Sequence, residues 1–133
     1  MRIHHQLLLL LLLLTACMPA RSPERFQAEQ QLNGLTIGLE TNARPAMNSA
    51  EQFIVTLRDD QGQPVVADEV YLDFTMPAMP MGTNRPIAES EAAGRYRAAT
   101  AYTMEGEWAI TVAARVKGVE QRATFTIVVL PAR

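Results

Sequence analysis

The chain is 133 residues long, with 12 basic and 14 acidic side chains, a net charge of −2 and one cysteine. That length allows one domain with a modest core, and the mild acidity gives no electrostatic footprint for nucleic acid. A single cysteine excludes an internal disulfide, so the domain must be stable on burial alone.

Met1-Arg2-Ile3-His4-His5-Gln6 leads into an unbroken leucine run over residues 7–14. A basic start followed by a short apolar run has the form of an export signal. It falls short of the ~20 apolar residues that a membrane-spanning helix needs. The following Leu14-Thr15-Ala16-Cys17 resembles a bacterial lipobox, in which the cysteine is acylated and becomes the first mature residue. The expectation is a signal peptide over residues 1–16, a lipid on Cys17 and a mature chain without histidine or free thiol. Ordinary secretion, with Cys17 discarded or left free, is the alternative. Met18 stands where an aspartate would suggest inner-membrane retention, which makes the periplasmic face of the outer membrane the default location.

Residues 17–31 are polar, with Pro19 and Pro23, and read as a tether carrying at most a frayed helical turn over residues 24–31. The domain is expected over residues 32–131. Leu35, Ile37 and Leu39 alternate and give way to a loop over residues 41–50. Phe53, Val55 and Leu57 form a second alternation, which stops at Asp59-Asp60-Gln61-Gly62-Gln63-Pro64, a turn sequence. Val70, Leu72, Phe74 and Met76 define one face of a third strand, and Pro86-Ile87-Ala88-Glu89 suggests a short edge strand. Gly94 opens a strand over residues 96–102, and Gly106 precedes another over residues 108–114. Lys117-Gly118 then turns into Ala123, Phe125, Ile127 and Val129. Seven short strands with regular turns and no helix predict an immunoglobulin-like antiparallel β-sandwich, with a small closed barrel as the other possibility.

The available chemistry is narrow. Without histidine or free thiol in the mature chain, Ser-His-Asp, Cys-His and Cys/His zinc sites cannot be assembled. The carboxylate pairs Asp59/Asp60, Asp68/Glu69 and Glu105/Glu107 sit at turns, where acids serve the backbone or are solvated. The seven glycines do not cluster into a phosphate loop. No enzyme and no organic cofactor are expected. What remains is Met76-Pro77-Ala78-Met79-Pro80-Met81-Gly82. Thioethers are soft, neutral ligands that suit Cu(I). Met76 continues an inward alternation, whereas Met79 and Met81 lie where Pro77 and Pro80 break strand pairing. Met104, in the turn before Trp108, could join them at one edge of a sandwich, and Trp108 could lie nearby as a π-face or serve as the core tryptophan. The metal set is therefore Met79, Met81 and Met104, with Met76 as a fourth. Plain packing of these methionines and contact with a protein partner are competing uses. Met47, in another loop, has no assigned place.

Taken in order, Gly62-Gln63-Pro64-Val65, the 70–76 strand, the Met-Pro segment, Gly94-Arg95-Tyr96 and Met104-Glu105-Gly106-Glu107-Trp108 resemble the YtkA-like domain of small exported bacterial proteins. The resemblance spans residues 32–130. It implies a non-enzymatic immunoglobulin-like sandwich in the envelope, near oxidase-assembly and metal-efflux functions and similar to copper-carrier sandwiches. Such carriers usually combine methionine with histidine, and the lack of histidine here points to Cu(I) rather than Cu(II). The partners implied are the membrane, through a lipid on Cys17, and an envelope protein.

Overall fold

The computed structural model describes residues 22–80 and 82–132. The expected export signal, Cys17 and Met81 lie outside the described residues. Eight strands account for the domain: β1 Arg25–Leu32, β2 Leu35–Asn42, β3 Ala50–Arg58, β4 Glu69–Thr75, β5 Glu89–Ala92, β6 Arg95–Ala101, β7 Gly106–Val116 and β8 Val119–Val129. They form a five-stranded sheet in the order β1-β2-β3-β6-β5 and a three-stranded sheet in the order β4-β7-β8. Every strand pairing is antiparallel. Setting β1 aside, β2-β3-β6-β5 over β4-β7-β8 is the four-on-three arrangement of immunoglobulin constant-type domains. Two separate sheets replace the closed barrel.

Period-two alternation builds the core. Ile37 and Leu39 of β2 and Phe53, Val55 and Leu57 of β3 face Leu72 and Phe74 of β4, Ile110 and Val112 of β7 and Phe125 and Ile127 of β8. Side chains of this size contribute about 1.5–3 kcal/mol each on full burial. Ile54 departs from the pattern: it points out of the sandwich yet is buried, flooring a groove on the outer face of the larger sheet.

Two expectations need correction. Residues 25–32 are neither tether nor helical turn but β1, paired with β2 from Arg25↔Asn42 to Leu32↔Leu35. The cause is Asn33-Gly34, whose φ values of 47° and 82° make the tight turn that matches strand twist. Phe26, Ala28 and Leu32 lean half-buried on the core, and the intervening Gln27, Glu29 and Gln31 face water. The sandwich therefore begins at Arg25 and has eight strands. The short edge strand lies at residues 89–92 instead of 86–89. Residues 84–88 lie along the free edge of β4, where Leu72 N–H donates to Pro86 O and Phe74 N–H to Asn84 O, both at 3.0 Å. Prolines cannot donate to a ladder, so this segment pairs mainly by accepting. It then crosses to the other sheet as β5.

Two of the turn carboxylates serve the backbone. Asp59 Oδ1 accepts the N–H groups of Gln61 and Gln63, both at 2.9 Å, and Asp68 Oδ2 accepts Gly118 N–H at 3.3 Å.

Candidate functional site

The register sends three connections to the same end of the sandwich. Ala50 pairs with Ala101, Thr75 with Ala109 and Gly106 with Val129, so the loops over residues 43–49 and 102–105 and the first part of the connection after β4 meet where β8 leaves. The chain also enters here: Ala43 N–H donates to Glu24 O at 2.9 Å, and Arg44 pairs with Glu24 at 2.8 Å. Every methionine among the described residues, Met47, Met76, Met79 and Met104, lies in these loops.

The methionines play different parts. Met76 is buried, as its alternation with Phe74 requires, and its methyl group lies against Gly106. Pro77, with its fixed φ, sits at the second position of a turn closed by Met79 N–H donating to Met76 O at 3.1 Å. That turn lifts Met79 into solvent, 49% exposed. Met104 is half-buried against the core, and its carbonyl accepts Trp108 Nε1–H at 3.0 Å. Met47 bridges to Tyr102 and is also half-buried, with Asn48 N–H donating to Tyr102 O at 2.8 Å. Met47 is the residue sequence reasoning could not place. Its position follows from counting antiparallel strands, because the β2–β3 and β6–β7 loops must lie at the same end.

Among these loops is a cleft of about 250 Å³ lined by Phe74, Thr75, Met76, Asn84, Thr103 and Trp108, among others. Below it the aromatic rings meet edge to face, with Phe53–Phe74 centroids at 5.0 Å and Tyr102–Trp108 at 5.5 Å. The Tyr102 hydroxyl is buried in this cluster and has no hydrogen-bond partner among the described residues. Burial, aided by the nearby Glu51 carboxylate, pushes the Tyr102 phenol well above the usual phenol range.

The loop carrying Met79 is pinned by a charge cluster. Asp73, on the outer face of β4 and nearly buried, accepts from Arg85 Nε at 3.1 Å and faces Arg122 at 3.6 Å. Arg122 also lies over the Tyr71 ring and donates to Glu120, whose carboxyl it holds below the usual carboxylate range. Asp73→Ala should free the 84–88 segment from β4. The expected result is a loss of about 1–2 kcal/mol, modest because both guanidinium partners can return to water. The Leu72 and Phe74 amides should exchange faster with deuterium while β7 amides keep their protection. Unchanged exchange at Leu72 and Phe74 would show that backbone pairing alone holds the segment.

A larger groove of about 710 Å³ crosses the outer face of the five-stranded sheet, but its Arg58 and Arg95 are already paired with Glu29 and Glu91. Among the described residues no group of three or more His, Cys, Asp or Glu side chains is placed to hold a metal ion. The soft donors at the methionine end are its thioethers, which suit a soft monovalent ion.

The profile of the YtkA-like family matches residues 29–113. No curated protein matches the chain. Among solved structures, the chain is similar to the crystal structure of a DUF4426 family protein from Pseudomonas aeruginosa PAO1, at a TM-score of 0.57 and 16% identity. That likeness covers 80% of this chain and 97% of the other, and it speaks to the fold alone.

Proposed function

The chain belongs to the YtkA-like family, and from that premise we propose that it is a non-catalytic binding module of the cell envelope, lipid-anchored through Cys17, that captures or delivers Cu(I). The observation that carries this reading is the gathering of all described methionines into the loops of one end. Met79 is the exposed donor, Met81 follows it two residues later in the sequence, and Met104 stands half-buried with its carbonyl accepting from Trp108. Met76, packed into the core, supports the loop more than it offers a ligand. With no histidine after residue 5, the thioethers have no imidazole to help them hold Cu(II).

The purified chain from Cys17 onward should compete with a Cu(I) chelator at about one ion per chain, the stoichiometry expected for one soft-ligand cluster. Met79→Leu with Met81→Leu should abolish that competition and leave the denaturation midpoint nearly unchanged, since the swap conserves volume at loop positions. Failure of the unsubstituted chain to compete would sink the copper reading.

A second reading uses the same end as a protein-docking surface. It draws on the exposed apolar side chains Met79, Val128 and Leu130 at this end, although Val66, Ile87 and Val119 are comparably exposed toward the other end. An interaction that survives chelation but fails in the double variant would select it over copper.

A further inference from the structure

We propose that the methionine end is the membrane-facing end of the domain, and that its partner is a protein embedded in the bilayer that holds the lipid. The proposal rests on the anchored reading of Cys17 and adds an orientation to it. The chain is fastened to the methionine end at Glu24 by the hydrogen bond to Ala43 and the ion pair with Arg44. From Cys17 to Glu24 a fully extended chain reaches at most about 25 Å. Strands β7 and β8 have 11 residues each, which makes the sandwich about 35 Å long. To point its methionines away from the bilayer with the opposite end resting on it, the domain would need a tether as long as itself. The tether is too short for that, so Glu24 and the methionine end beside it stay within about 25 Å of the lipid surface.

Charge decides what they meet there. Arg44 and Arg85 at this end are paired with Glu24 and Asp73, and Glu105 and Glu107 add negative charge. No basic patch is available among the described residues to draw the loops onto anionic headgroups. The exposed side chains Met79, Val128 and Leu130 suit an apolar protein surface instead; Val66, Ile87 and Val119 are comparably exposed elsewhere, so it is the tether and not exposure that singles out this end.

The test couples the sole thiol, Cys17, to a maleimide phospholipid in phosphatidylcholine vesicles containing dansyl headgroups, which bypasses cellular acylation. Trp108, the one tryptophan of the chain, lies at the methionine end and acts as energy donor. Its transfer should be severalfold stronger than that of the emission added by Val119→Trp at the opposite hairpin. It should also fall when roughly 20 Gly/Ser residues, spanning about 25 Å r.m.s., are inserted after Arg21. Equal transfer from residues 108 and 119 would overturn the orientation. Transfer that the insert does not reduce would mean that the lipid surface itself binds the loops, overturning the choice of partner. In native membranes, a photo-crosslinker at residue 79 should capture an integral membrane protein, and capture of lipid alone would overturn that choice as well. If Cys17→Ser protein stays membrane-bound in cells, the anchoring reading falls separately, whatever the vesicles report.

Discussion

Gly94→Ala is expected to lower the stability of the domain by about 2–5 kcal/mol, the largest effect of a Cβ added at any of the left-handed glycines described. Two independent terms act at this position. Its φ of +68° lies in the left-handed region, where a side chain costs about 1–2 kcal/mol. In addition, a Cβ there would stand 2.7 Å from Leu57 O and 2.8 Å from Pro64 Cβ. The first neighbour is backbone and the second a rigid ring, so neither can swing aside, and overpacking of this kind costs about 1–3 kcal/mol more. The close approach exists because Leu57 N–H donates to Gly94 O at 2.8 Å, tying the β5–β6 turn to the end of β3. Gly118→Ala is the matched control: its φ is +79°, yet nothing lies within 4 Å of the added atom. Urea denaturation of both variants should therefore show a clearly larger midpoint shift for Gly94→Ala. Equal shifts would remove the packing term from the account.

Several features of this fold were legible in the residues because they repeat with period two against turns of known chemistry. Val70–Leu72–Phe74–Met76 and Ala123–Phe125–Ile127–Val129 are buried as their alternation implies. Lys117-Gly118 turns with both φ values positive. The first strand was obscured by its composition, since Gln27, Gln30 and Gln31 are weak strand formers and only Phe26, Ala28 and Leu32 reach the core. The decisive signal was Asn33-Gly34 just beyond it, which fixes a hairpin regardless of the polarity of one arm. The edge strand falls later than its local pattern implies, for a different reason. Pro86 and Ile87 sit in an extended segment, but that segment pairs with β4 before crossing sheets, and a crossing is a tertiary event that local pattern does not encode.

For the candidate site, the sequence divided Met76 from Met79 through the alternation of β4, and that division holds: one is buried and the other stands in solvent. It could not bring in Met47, because which loops share an end depends on how many antiparallel strands separate them. The partner cluster of Asp73, Arg85 and Arg122 was equally out of reach, since its members lie on β4, on the crossing segment and on β8. A carboxylate on an alternating strand reads as solvent-facing until another segment covers it.

Tyr102→Phe should stabilise the domain at neutral pH, by about 1–3 kcal/mol, because a buried hydroxyl without a partner keeps its desolvation penalty. The ring itself is held by Phe53, Phe74 and Trp108, and phenylalanine preserves those edge-to-face contacts. The same phenol fixes a pH dependence. In the unfolded chain it ionises near its ordinary value of 10.0, whereas burial and the Glu51 carboxylate raise it in the folded state. Above about pH 10 the unfolded state therefore binds fewer protons than the folded one, and stability falls as pH rises toward the folded value. Below pH 10 both states keep the proton, and this group adds no slope. The gain from Tyr102→Phe should thus be constant from neutral pH to about 10 and widen beyond it, as read by thermal melts at each pH. A destabilised phenylalanine variant would overturn this account. It would mean that the Tyr102 hydroxyl has a partner in the working protein, and the cleft beside Trp108 would be the place to look for it.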